Sequence, residues 1–282
     1  MELLIGGKGY KPIQQFCGHK HTIVSIWSGL QYATSVILRV NGVENHHKVS
    51  QYPDFSGKVI MSTIVLREEK WIKQWISYHT SLGVDHVVVY DNAGDSPLRT
   101  FLKDEINSGV VVYIPWPYAY RLPRSGISGQ TTQQNHSIYT WRNAAYIGLL
   151  DVDEYVNLRR VDTLRSLLDE VVAGVSSTLG GVELVSRIFN EPENHLRHVG
   201  STDFFRATTC TNYIFGGRQK VFVIPKNVVI FSVHMIVTGL PVRTADPDKS
   251  MCFHHYWFLS SKNREVIATP CTDTSMVHYA KP

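Results

Sequence analysis

The sequence predicts an α/β protein built on an open, doubly wound sheet whose second half is mixed. Three observations predict it. Strand and helix periods alternate between Lys58 and Ile114, a later apolar strand stops at two acids, Asp151 and Asp153, and the helical period is lost beyond Gly180.

Val59 to Leu66 is mostly apolar and β-branched, which fits a strand covered on both faces. Ile72, Trp75, Ile76, His79 and Leu82 then recur at spacings of three and four behind Glu68 and Glu69, and Gly83 supplies a stop, so a helix follows. Val87 to Tyr90 reads as the second strand. Ser96-Pro97 reads as the cap and first position of a helix through Ile106, and Val110 to Ile114 as the third strand. With right-handed crossovers these form the opening half of a doubly wound sheet. Thr131 to Asn143 reads as a helix, Tyr146 to Leu150 as a strand, and Thr163 to Val172 as a helix capped by Asp162. Gly181 to Phe189, Lys220 to Ile224 and Val228 to Val233 are expected as strands of a mixed second half laid over the open edge of the first. In residues 1–57, Thr22 to Trp27 and Ser35 to Val40 fit strands of an appended hairpin or sheet extension.

Composition removes several classes. At 282 residues, 43% hydrophobic and 18% charged, the chain suits one packed domain and not a disordered or fibrous one. A net charge of +4 is too dilute for a dedicated nucleic-acid binder. Cys17, Cys210, Cys252 and Cys271 make no C-x-x-C pair, so reduced thiols are expected in place of a zinc site or disulfide framework. No run of about 18 apolar residues and no secretory leader is visible, so no membrane span is expected and the location reads as cytoplasmic.

The chemistry concentrates at Asp151 and Asp153. On an extended chain, acids spaced by one residue point to the same side, here at the carboxyl edge of the sheet, where open α/β folds bind ligands. Two converging carboxylates call for a hard divalent cation, Mg²⁺ or Mn²⁺, completed by a phosphate-bearing substrate. The plainer alternative is a polar turn. No G-x-x-x-x-G-K-[ST] and no G-x-G-x-x-G follows the first strand, so neither P-loop hydrolysis nor NAD binding is encoded in the usual way. Asp91, closing the second strand, is placed to accept from a ribose hydroxyl or base N–H, and Arg67, closing the first, to meet a base carbonyl or phosphate. Ordinary turn chemistry is the alternative for both.

Trp75-Ile76-Ser77-Tyr78-His79-Thr80-Ser81-Leu82-Gly83-Val84-Asp85-His86, followed by Tyr90-Asp91-Asn92 and by Asp151-Val152-Asp153-Glu154-Tyr155, resembles the GT-A glycosyltransferases of family 92 and the family-2-like group. Arg218-Gln219-Lys220 through Pro225, Val233-His234 and His255-Tyr256 are similar to further landmarks of that group, so the resemblance covers about 60 to 265. Two departures stand out: Arg67 replaces a usual Asn, and Phe189-Asn190 replaces Phe-Gly. The short length is similar to soluble enzymes of bacteria or of large algal viruses of the chlorovirus type.

The resemblance implies a GT-A fold with a nucleotide-sugar half at 58–160, an acceptor-binding and metal-completing half at 161–282 and an extension at 1–57. It implies a metal-dependent transfer of a sugar from a nucleotide-sugar, a UDP-sugar, to a hydroxyl of a glycan or glycoprotein; inversion is the expected outcome, with retention the alternative. Asp151, Asp153 and His234 would hold Mn²⁺ or Mg²⁺, with His254 and His255 as competitors for the imidazole. Arg67, Glu68, Asp91, Val152, Lys220 and His255 fall on the donor side. Asp203 is the first candidate for the base and Glu191 the second. Trp116, Tyr118 and Tyr120, in a Pro-broken loop, would stack on the acceptor. The competing readings are a nucleotidylyltransferase-like enzyme and a catalytically silent sugar-binding domain.

Overall fold

A computed structural model describes the chain except for residues 18–22, 28–29, 31–32, 68, 95–96, 122–127, 190–201, 260–270 and 281–282. Near the N-terminus run β1 (Glu2–Ile5), β2 (Lys8–Tyr10), β3 (Gln14–Cys17), β4 (Ile23–Ile26), β5 (Ser35–Val40) and β6 (Val43–Lys48). β2-β1-β5-β6 is a separate antiparallel sheet and β3-β4 a hairpin, so Ser35–Val40 belongs to its own sheet and extends no other. β6, Val-Glu-Asn-His-His-Lys, is exposed at every position, which is why no alternation announces it.

The α/β body starts with β7 (Val59–Val65), α1 (Glu69–Ser81), β8 (His86–Asp91), α2 (Leu98–Phe101), α3 (Lys103–Asn107), β9 (Val111–Pro115), α4 (Ser128–Thr140) and β10 (Tyr146–Leu149). It continues with β11 (Glu154–Leu158), α5 (Leu164–Val171), β12 (Gly181–Leu184), β13 (Ser186–Phe189), β14 (Thr209–Cys210), β15 (Lys220–Val223), β16 (Val228–Ser232), β17 (Met235–Gly239), β18 (Val242–Thr244), β19 (Met251–Tyr256) and β20 (Cys271–Thr272). The main sheet has seven strands in the order β18-β12-β15-β10-β7-β8-β9. β10, β7, β8 and β9 are mutually parallel, and β15 runs antiparallel to both of its neighbours. This is the α/β class with a mixed sheet that the sequence predicts.

Four details depart from expectation. The helix through Ile106 is two short helices broken at Leu102. α5 is capped by Thr163, whose hydroxyl accepts from the Ser166 N–H, while Asp162 accepts from the Thr163 N–H one step earlier. Gly181 to Phe189 divides at Val185: β12 joins the main sheet and β13 a second, three-stranded sheet, β11-β19-β13. The second half thus continues the main sheet past β10, where a covering layer was expected. Val228 to Val233 forms a hairpin with β17 and packs on α4, where Asn135 Nδ2 donates to Phe231 O (2.8 Å) and Oδ1 accepts from Phe231 N (3.0 Å).

Alternate residues of the central strands feed two cores. Val59, Met61, Val65, Val87 and Val89 pack with α1, α5 and the second sheet, whereas Ile60, Val88, Tyr90 and Ile147 pack with Ile138 from α4 and with Trp141 just after it. Gly148 faces the first of these cores, where a Cβ would come within 2.4 Å of the Phe222 ring and 2.5 Å of Met61 Sδ. α1 ends at Gly83, whose φ of 96° suits the left-handed stop.

The motif on α1 is an anchor for β11. Trp75 Nε1 donates to Glu154 O (2.8 Å), Tyr78 Oη to Val156 O (2.6 Å), and His79 Nε2 accepts from Val156 N (3.3 Å). His79 Nδ1 donates to Trp75 O at 2.8 Å, so the ring is neutral, and its burial holds the imidazole down to about 3. In the unfolded chain it charges near pH 6.5, at the ordinary pKa of about 6.5. The unfolded state therefore takes up a proton that the folded state refuses. Stability is complete above about pH 6.5 and falls as the pH drops toward 3, by up to about 1.4 kcal/mol per pH unit from His79 alone. Urea midpoints at pH 7.5 and pH 4.5 check this; equal midpoints would count against it.

Candidate active site

Asp151, Val152, Asp153 and Glu154 form a turn between β10 and β11, closed by Glu154 N donating to Asp151 O at 3.1 Å. This corrects the extended reading: the two aspartates are not side by side on a strand, and each meets a different partner. Asp151 accepts from Lys220 Nζ (2.9 Å) and Gln130 Nε2 (3.0 Å). Asp153 Oδ2 lies 3.4 Å from His255 Nε2. Glu154 and His255 are direct register partners between β11 and β19, which puts Glu154 Oε1 3.5 Å from His255 Nδ1. Trp257 Nε1 donates to His255 Nδ1 at 3.2 Å and helps fix the ring.

Lys220, at the start of β15, has a completely buried side chain. Its ammonium also meets Glu154 Oε2 at 2.9 Å, and that oxygen accepts from Asp151 N at 2.8 Å. Burial opposes the Lys220 charge, but Asp151 and Glu154 more than offset it and push its pKa up. Burial raises Glu154. The same cost at Asp151 is outweighed by the Lys220 ammonium, which holds it below the usual carboxylate range. Two carboxylates, Asp151 and Glu154, thus converge on one ammonium, and a third, Asp153, lies against His255 beside them, with Asp153 6% and Glu154 1% exposed. Excess buried negative charge favours a cation. Among the described residues, Asp153, Glu154 and His255 offer ligand atoms within 4.8 Å of one another, a mixed oxygen and nitrogen set that could hold a metal ion.

The other expected residues distribute as follows. His234 is not in that group. It follows Val233, a β-branched residue at φ 31°, and its Nδ1 donates to Gln219 O at 2.9 Å. Burial, with Lys220 nearby, holds it down to about 4. Lys220 is paired with Asp151 and Glu154. Both Asp91 oxygens have partners in the chain, Tyr113 Oη (2.7 Å) and Ala93 N (3.0 Å), and the residue is 4% exposed. Val152 is buried in the core, while Arg67 is exposed at φ 58°. Glu68 and Glu191 lie outside the described residues.

Asp203 opens a short 3-10 turn and lies 3.5 Å from Arg206 Nε. Phe204 and Phe205 after it are buried against Tyr155 and Tyr256, the residues next to Glu154 and His255. The three loop aromatics separate. Tyr120 Oη donates to Gln130 Oε1 at 2.9 Å, joining the Asp151 network, whereas Trp116 and Tyr118 line a cleft of about 740 Å³ between α4 and the end of β9 with Tyr52 and His136. Sequence reasoning assigned no role to Gln130 or Glu154. Glu154 stood in the motif, but its pairing with His255 is a contact across strands that local pattern does not carry.

A sequence profile of glycosyltransferase family 92 matches residues 59–280. A family 92 protein of Ricinus communis is 22% identical over 205 residues, 71% of this chain and 35% of that protein. One of Oryza sativa subsp. japonica is 25% identical over 109 residues, 38% of this chain and 17% of that protein. The chain thus spans about a third or less of the curated relatives it matches. Among solved structures, S. aureus TarS 1-349 in complex with UDP-GlcNAc aligns at a TM-score of 0.42 with 13% identity, over 74% of this chain and 60% of that one. Glucosyl-3-phosphoglycerate synthase from Mycobacterium tuberculosis, in complex with Mn²⁺, UDP and glucosyl-3-phosphoglycerate, aligns at 0.29 with 12% identity, over 50% and 46%. Among the described residues no helix is long and apolar enough to cross a membrane. With the profile matched from the first strand of the main sheet to the C-terminal turn, the chain belongs to glycosyltransferase family 92.

Proposed function

We propose that this chain transfers a sugar from a UDP-sugar to a hydroxyl of a glycan acceptor, with inversion, in a metal-dependent reaction. The observation that carries the reading is the buried Asp153–Glu154–His255 group at the carboxyl end of β10 in a family 92 chain. In this reading residues 58–160 bind the donor and 161–282 complete the metal site and receive the acceptor. Asp153 and His255 hold the cation; Asp151, oriented by Gln130 and Lys220, faces the donor. Asp153 and His255 would present Mn²⁺ or Mg²⁺ to the donor, and that ion would supply positive charge against the departing diphosphate. Asp91 and Arg67 border the nucleoside side at the ends of β8 and β7. Isothermal calorimetry of UDP, in Mn²⁺ and in EDTA, tests the proposal: tight binding is expected only with the metal. Equal affinity in both buffers removes the metal role, and binding without transfer from any UDP-sugar leaves a silent sugar-binding domain.

Asp203 is the proposed base. Displacement with inversion needs the acceptor hydroxyl on the face opposite the diphosphate, so its proton acceptor belongs to the acceptor side of the cleft. The burial of Phe204 and Phe205 on Tyr155 and Tyr256 supports this by tying the Asp203 turn to residues flanking the metal group. Asp203→Asn is expected to keep UDP affinity and lose roughly 10²-fold in kcat. Near-normal turnover, or a product of retained anomeric configuration, brings Glu191 forward instead.

A further inference from the structure

Cys210 and Cys271 face each other across the two-stranded ribbon β14–β20. Both are free thiols, they are direct register partners, and their sulfurs are 3.2 Å apart although 61 positions separate them in sequence. Directly opposed antiparallel residues have Cα atoms about 4.5–5.5 Å apart, within the roughly 4.4–6.8 Å that a disulfide spans. From this geometry we infer that Cys210 and Cys271 are a covalent modification site, closing to a cross-strand disulfide in the presence of a small-molecule disulfide such as oxidised glutathione.

The two thiols differ in access. Cys210 is buried, whereas Cys271 is half-buried and is the sulfur that an oxidant reaches first. Burial pushes the Cys210 thiol up to about 12, so it stays protonated until its partner has reacted. The Cys271 thiolate attacks one sulfur of glutathione disulfide and expels one glutathione thiolate. The Cys210 sulfur then attacks Cys271 in the mixed disulfide and expels the second glutathione, which takes up the Cys210 proton. Two protein thiols lose two electrons in all, and one glutathione disulfide becomes two glutathiones. Cys252, fully buried and within 3.3 Å of Arg159 Nη2, has no such partner among the described residues.

The bond would staple two segments that support the site from behind. β14 follows the Asp203–Arg206 turn. β20 leads into Asp273, which accepts from Arg187 Nη1 (2.6 Å) and lies 3.4 Å from His254 Nε2, the neighbour of His255. The cross-link therefore locks the C-terminal segment onto the second sheet without touching a reacting group.

Incubation of the full chain with oxidised and with reduced glutathione, followed by intact mass and non-reducing peptide mapping, tests this. The expected result is loss of two hydrogens, a Cys210–Cys271 peptide pair, and a melting temperature about 5–10 °C higher than the reduced form. Cys252→Ser should retain all three effects and Cys271→Ser should lose them. A lasting glutathione adduct on Cys271, a bond to Cys17 or Cys252, or unchanged free thiols would each overturn the inference.

Discussion

Asp153→Ala is expected to lower sugar transfer by about 10²–10³-fold or more, the scale on which a charge-stabilising group at the reacting centre acts, with the fold intact. Opposing charge contacts meet at Asp153. Asp153 raises the pKa of both Asp151 and Glu154, so it is a repulsive neighbour in a group with one ammonium. Its carbonyl, not its carboxylate, accepts from Tyr256 N at 2.9 Å, and that bond survives truncation. Truncation relieves that repulsion and also removes the Asp153 contact with His255 Nε2 at 3.4 Å, so the variant should stay folded while its UDP affinity stops responding to Mn²⁺. Thermal unfolding and calorimetry on the same preparation check both. A variant that keeps activity excludes the metal role, whereas one that loses both activity and stability makes Asp153 a structural residue.

The part of this site that was legible in sequence was the part set by local pattern. β7, α1, β8 and β10 follow from apolar period and punctuation, because both faces of those strands are covered and few other patterns fit. The acids of the turn were visible for the same reason: they end an apolar run. What they do was not, because Glu154 N closing on Asp151 O turns the chain where an extended segment was expected. The choice of imidazole depended on register between distant strands. Val233-His234 and His254-His255 look equivalent in a linear reading, and only the strand pairing brings His255 beside Glu154. The N-terminal sheet was faint because strands such as β6 bury nothing and leave no alternation to read. The division of Gly181 to Phe189 between two sheets is likewise a choice of partners, made by β15 for β12 and β19 for β13.

Lys220→Met is expected to destabilise the protein by about 3–5 kcal/mol at pH 7, the cost of breaking a buried ion pair and leaving its partner unpaired. The position can accept the methionine stem, since β15 is buried along its whole length. The cost arises at Glu154, 2% exposed at its side chain, which would face Asp151 and Asp153 with no ammonium between them. Asp151, with 38% of its side chain exposed, has water as a substitute and contributes less. Two consequences separate this account from loss of packing. Adding Glu154→Gln to Lys220→Met should recover part of the stability, because the uncompensated charge is gone. Lowering the pH toward 5 should also narrow the gap between Lys220→Met and the unaltered chain: Glu154 already has a raised pKa, and without the ammonium its protonation comes within reach and removes the same charge. Urea denaturation of the three proteins at pH 7 and pH 5 gives all the numbers needed. If the double variant is no more stable than the single one and the gap does not change with pH, Lys220 acts by filling space and the charge balance proposed for the Asp151–Glu154 turn is wrong.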